Sequence, residues 1–177
     1  MRYKKLIEID IDLLTQCLIR TKDNKIVKTE VKEISTQHYN FKDWEFNWVE
    51  ESKKRNKILG LFAENDKRLQ GIVEYYENKE RQLLEVVLVE IAPFNNRHNP
   101  KNFLKNKEYL GVGGHLFAEI ARISFEKGYD GYVSFLAKTN LIEHYKKTLG
   151  AKQLSYIEMY IDDEAAMKLV KKYYGKN

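Results

Sequence analysis

The sequence predicts a single mixed α/β (α+β) domain, and three observations carry that expectation. Three successive strand-like runs lie between Ile58 and Ala92, the cluster Gly111-Val112-Gly113-Gly114 opens a strongly amphipathic segment, and strand and helix patterns alternate from there to Tyr174. The length agrees: 177 residues, 43% hydrophobic and 32% charged, suit one ordinary globular domain with a real core.

Along the chain, Lys5 to Leu18 fits either a strand or a short helix, Thr21 to Lys25 has turn chemistry, and Lys25 to Ile34 alternates as a strand does. Trp44, Trp48 and Val49 recur near helical spacing, which predicts a helix from Asp43 to about Lys54 with Asp43 as its cap. Ile58 to Ala63, Arg68 to Tyr76 and Gln82 to Ala92 read as a meander, with a turn at Glu64 to Lys67 and Pro93 ending the last strand. A polar connection follows, Phe94 to Lys107, rich in Asn and basic residues. After the glycine cluster, Leu116, Ile120 and Ile123 form an apolar helix face, with His115, Glu119, Arg122 and Glu126 opposite and Gly128 as the stop. Gly131 to Ala137 reads as a strand, and Asn140 to Leu149 as a helix with an Asn140–Glu143 capping box and Gly150 as its stop. Leu154 to Ile161 is a further strand, and Asp163 to Tyr174 an amphipathic helix.

Composition narrows the class. The net charge of +5 suits an anionic cofactor but is too diffuse to mark a nucleic-acid footprint. Cys17 is the only cysteine, which excludes an intrachain disulfide and points to a reducing compartment. The first ten residues carry charges where a signal peptide needs an apolar run, and no stretch approaches the ~18 apolar residues of a membrane span. The expectation is a cytoplasmic protein. His38, His98 and His115 show no zinc spacing with each other or with Cys17, so no metal is implied.

The glycine cluster is the sharpest local feature. Glycines at a helix start let the backbone turn tightly and aim free amides at an anion, with the helix dipole adding to the attraction. Leu116 stands where a dinucleotide fingerprint wants its third glycine, and no Gly-Lys-Ser/Thr is present for a nucleotide-triphosphate loop. Taken alone, the cluster reads as a tight turn or as an anion site.

The order of strand hairpin, long strand, glycine turn, amphipathic helix, strand and helix resembles the GNAT superfamily of N-acetyltransferases. The signature there is Gln/Arg-x-x-Gly-x-Gly/Ala, and the corresponding string is Glu108-Tyr109-Leu110-Gly111-Val112-Gly113-Gly114, with Glu108 in the Gln/Arg place. The resemblance covers roughly Ile58 to Ile161, and Tyr109 to Tyr174 is similar to an uncharacterised bacterial subgroup, some of whose members carry a toxin–antitoxin label. It implies a mostly antiparallel central sheet flanked by helices, with acetyl-coenzyme A as co-substrate and its pyrophosphate on the amides of Gly111, Val112, Gly113 and Gly114.

Further roles follow from the same resemblance. The strand before the glycine turn would pair with the pantetheine arm through Val89-Glu90-Ile91-Ala92, making Ile91 and Ala92 cofactor contacts. Glu85, earlier on that strand, matches a general base; its apolar neighbours would raise its pKa, and the plainer reading is a solvent-facing strand residue. The family string Asn-x-x-Ala-x-x-Leu-Tyr-x-Lys-x-Gly-Phe is matched at Tyr145, as general acid, and Lys147, with Lys138 in the Asn place and one extra residue before Gly150. The plainer reading of Tyr145 is a ring packed between helix and sheet. His144 either orients a group or caps a polar face, and Arg97, Lys101, Lys105 and Lys107 either reach coenzyme A phosphates or form a solvated loop. The expectation is direct acetyl transfer to an amine acceptor, whether a small amine, a peptide or an aminoacyl-RNA. The alternative is a non-catalytic acyl-coenzyme A sensor or interaction module.

Overall fold

The computed structural model describes residues 5–175. The first four residues, part of the charged start read in the sequence, lie outside the described residues. Its strands are β1 (Leu18–Arg20), β2 (Lys25–Val27), β3 (Thr29–Glu33), β4 (Lys57–Ala63), β5 (Leu69–Asn78), β6 (Leu83–Ile91), β7 (Tyr109–Leu110), β8 (Val133–Leu136), β9 (Lys152–Gln153) and β10 (Glu158–Ile161). Its α-helices are α1 (Trp48–Ser52), α2 (Val112–Glu126), α3 (Ile142–Leu149) and α4 (Asp163–Tyr174). Seven strands form one sheet in the order β3-β4-β5-β6-β8-β10-β9, and β2-β1-β7 form a small second sheet. Among the described strands of the large sheet only β6 and β8 run parallel. This is the mostly antiparallel sheet flanked by helices that the GNAT resemblance implied.

The meander forms because β4, β5 and β6 alternate two apolar faces. Leu59, Leu61, Val73, Leu84, Val86, Val89 and Ile91 belong to the core that includes α2, while Ile58, Phe62, Ile72 and Leu88 pack with Trp48 on the other side. Helix α1 is shorter than the Trp pattern predicts and is capped by Asn47, not Asp43. The other departures are local too. Lys25 to Ile34 breaks at Lys28 into β2 and β3; of the strand expected from Leu154 to Ile161 only Glu158–Ile161 forms, as β10, with β9 lying before it; and α3 starts without the Asn140 capping box, after a 3₁₀ turn at Thr139–Leu141.

Helix α2 is buried on more sides than its pattern implies. His115 and Glu119, expected on a polar face, are 0% and 5% exposed. The reason is tertiary: Thr29 hydrogen-bonds the His115 ring at 2.6 Å, Tyr173 stacks on it, and Tyr174 donates to Glu119. Burial pushes His115 down to about 4.

Candidate functional site

The site begins where β6 and β8 part. They pair only at Leu84–Val86 with Val133–Phe135 and diverge beyond. The Ala92 amide donates to the Gln70 carbonyl on β5, at 2.9 Å. Alternation along the strand therefore turns the Val89 and Ile91 backbone groups the other way, toward the gap. Of the two expected contacts on β6, Ile91 has its amide on the cleft side, and Ala92 has spent its own inside the sheet. The gap opens into a cleft of about 720 Å³ whose walls include Val89, Ile91, Trp44, Glu45, Lys107 and Lys138.

The other side of the gap is taken by residues 5–15, which are neither the expected strand nor a helix but an extended strap. Ile7, Ile9 and Ile11 are buried, at 0%, 8% and 2% exposure, while the residues between them are half-buried. The Ala137 amide bonds Ile157 on the β10 side, so Leu136 and Lys138 present their backbone groups on the side that β6 has left. Ile7 fills both: its amide donates to the Leu136 carbonyl at 2.6 Å, and its carbonyl accepts from Lys138 at 2.9 Å. Farther along, the Ile9 carbonyl accepts from the Tyr145 hydroxyl at 2.6 Å, and the Ile11 amide donates to His144 Nε2 at 2.9 Å. The Asp12 carboxylate then accepts from the Gly111 amide at 3.1 Å and pairs with the Lys107 ammonium at 3.0 Å.

This explains the glycines differently from the sequence reading. Gly111 caps α2 at φ +93°, and a Cβ there would lie 2.3 Å from Thr15 Oγ1. A Cβ on Gly113 would meet Ile11, Ile9 and the Asp10 carbonyl at 3.0, 3.1 and 3.3 Å, and one on Gly114 would meet the Tyr173 hydroxyl at 2.3 Å. The chain's own strap and last helix make the close approach that needs glycine. The donor set still fits an anion, because the Gly111 amide and Lys107 already hold a carboxylate at the helix start. Val112 is buried beside them.

Tyr145 is 0% exposed and packs edge-on against Phe135. Burial pushes its hydroxyl above the ordinary phenol value, and its proton is committed to Ile9. Glu85 lies elsewhere, in a separate cleft of about 390 Å³ with Lys54, Arg81, Ser134 and Glu158. Burial raises its pKa, but hydrogen bonds from Tyr76, Asn78 and Arg81 outweigh that and leave it below the ordinary value, the reverse of the expected direction. Lys147 borders a third, basic groove of about 590 Å³ with Leu13, Leu14, Lys152 and Lys172. The structure thus brings Tyr145 and the glycines together through the strap and sets Glu85 apart.

Two features escaped the sequence. Glu45, at the lip of the cleft, has its carboxyl pushed up by burial and by the neighbouring Glu8 carboxylate. Glu90, 3% exposed, accepts from the Glu45 and Phe46 amides and from Trp48 Nε1, at 2.7, 3.1 and 2.9 Å, which pins that lip to β6. The Asn-rich connection is also more ordered than a solvated loop: Asn102 donates to the Pro93, Asn96 and Asn106 carbonyls, and Lys107 is buried against Asp12. Glu108 turns away from the glycine amides and forms a two-point pair with Arg68, so its charge is neutralised there.

No family model and no curated protein matches the chain. Among solved structures it is similar to a bacterial toxin, at 12% identity over 85% of this chain and 99% of that one, with a TM-score of 0.54. An acetyltransferase from Bacillus subtilis in complex with CoA aligns at 14% identity over 77% and 98%, with a TM-score of 0.48. A mutant form of the spermidine N-acetyltransferase SpeG from Vibrio cholerae aligns at 15% over 78% and 96%, with a TM-score of 0.49. At these identities the likeness is one of fold. Among the described residues, no helix is long and apolar enough to cross a membrane.

Proposed function

We propose that this chain, which has the fold of the GNAT acetyltransferases, transfers an acetyl group from acetyl-coenzyme A to an amine acceptor in the cytoplasm. The observation that carries the reading is the parting of β6 from β8 beside the start of α2, where the Gly111 amide and Lys107 hold an anionic group. Acetyl-coenzyme A supplies the activated acyl group when bound. The Val89 and Ile91 amides would orient the donor arm along β6, and the start of α2 from Gly111 to Gly114 would hold its pyrophosphate, with Lys147 at the basic groove beyond. Glu45 would accept the proton of the attacking amine, since its raised pKa suits a general base. Tyr145 would hold the proton for the departing sulfur once its hydroxyl is free of Ile9. Glu85, kept anionic by three hydrogen bonds, suits acceptor recognition in its own cleft better than proton transfer.

A second reading, a module that binds an acyl-coenzyme A without transfer, draws on the Tyr145 proton being committed to Ile9. The test is calorimetric titration with coenzyme A and acetyl-coenzyme A, together with free-thiol release over small amines, peptides and aminoacyl-RNA. Binding with acceptor-dependent thiol release supports transfer. Binding with no release over the whole panel favours the module, and no binding at millimolar ligand sinks both.

A further inference from the structure

We infer that residues 7–15 are a self-inhibiting strap that occupies the donor's own place and must leave before acyl-coenzyme A binds. The inference rests on the acyltransferase reading and concerns the regulation of that same site.

The strap uses, in order, the groups a donor arm would need. Ile7 covers the backbone edge of β8, Ile9 takes the Tyr145 proton, Ile11 takes His144, and Asp12 places a carboxylate on the Gly111 amide and Lys107. From Ile7 to Asp12 the chain is extended, so these contacts span about 17 Å at ~3.3 Å per residue. An acidic group sits at the helix start and a bare polypeptide edge runs along the gap, the same sequence of chemistry as a diphosphate followed by an amide-bearing arm. At Gly113 the two cannot coexist, because Ile9 and Ile11 already lie 3.1 and 3.0 Å from where even a Cβ would stand.

The strap is also built to be removable. Among the described residues its one backbone bridge to the large sheet is at Ile7, and no further strand pairing anchors it between there and β1. It is held by Ile7, Ile9 and Ile11, which share the core with β6 and α2, by Leu14 packed on that core and Thr15 against Gly111, and by the polar contacts already described. While the strap is seated, the competent fraction is small, and the apparent affinity for the donor falls by that fraction.

The experiment is hydrogen exchange on the full chain with and without coenzyme A, paired with calorimetric titration of the unmodified chain and Asp12→Ala. Bound coenzyme A should strip protection from the Ile7, Ile11 and Lys138 amides while adding it at Val89, Ile91 and residues 111–115. Asp12→Ala loses two charge-assisted contacts and should bind coenzyme A about 10-fold more tightly. Coenzyme A bound with the strap amides still protected would overturn the strap and leave the acyltransferase reading standing. No binding by either protein would overturn the acyltransferase reading, and the strap with it. The exchange measurement needs no substitution, so it decides the matter even where Asp12→Ala folds poorly.

Discussion

The Tyr145 hydroxyl donates to the Ile9 carbonyl at 2.6 Å across 136 positions of sequence, with the tyrosine ring wholly buried. One proton thereby ties α3 to the strap that lines the cleft. Tyr145→Phe keeps the ring and leaves the Ile9 carbonyl without its donor. It should cost about 1–3 kcal/mol of unfolding free energy in a urea titration, and with an active acceptor it should lower turnover at least ~10-fold. A loss of stability with unchanged turnover would leave Tyr145 as a packing residue alone.

The glycines separate close approach from backbone strain. Gly128 sits at φ +82° with nothing within 4 Å of a Cβ, so Gly128→Ala should cost only about 1 kcal/mol of conformational strain. Gly111→Ala carries the same kind of strain and also drives a methyl into Thr15, and should cost more by about 1–3 kcal/mol. Equal midpoints for the two variants would mean that the strap yields freely at Thr15.

Glu74 predicts a pH dependence. It is wholly buried, its Oε2 has no partner as an acceptor, and burial together with the hydrogen-bonded Glu51 pushes it from 4.5 up to about 7. A proton on Glu74 turns the orphan acceptor into a donor toward Glu51. A raised folded-state pKa means that this stabilisation is fully present below 4.5 and is lost as pH climbs through about 7. Glu74→Gln, which keeps a donor at every pH, should flatten that decline, read as the difference in urea midpoint between pH 5 and pH 8. The same decline in both proteins would remove Glu74 as its source.

Glu45 and Glu85 make opposite predictions for catalysis. Glu45→Gln should lower turnover ~10²-fold and abolish the acidic limb of the rate profile. Glu85→Gln should keep that limb, because Glu85 is already held as an anion below its ordinary value. If the limb instead disappears with Glu85→Gln, the base belongs on β6 and not at the lip of the cleft.

Much of the fold is legible in the sequence. The alternation of Ile58 to Ala92, the apolar stripe of α2 and the stops at Gly128 and Gly150 are local signals, and β4 to β6, α2 and α4 follow them closely. The departures share one cause. His115 and Glu119 look like a solvent face because their helix carries no record of Thr29 or Tyr174, which come from far along the chain to cover them. Asn140 looks like a cap, but the 3₁₀ turn at Thr139–Leu141 leaves α3 without a side-chain cap.

The candidate site divides along the same line. By itself the sequence determined that a glycine turn opens α2 and that β6 ends at Pro93, and it left the glycines as either a tight turn or an anion site, because glycine, proline and hydrophobic period act within a few residues. Only the tertiary structure decided that Asp12 supplies the anion, that Glu45 and not Glu85 borders the cleft, and that Tyr145 gives its proton to Ile9. Those relationships join residues distant in sequence, and the alternating isoleucines at 7, 9 and 11 report only that one side of the strap is buried, never what it is buried against.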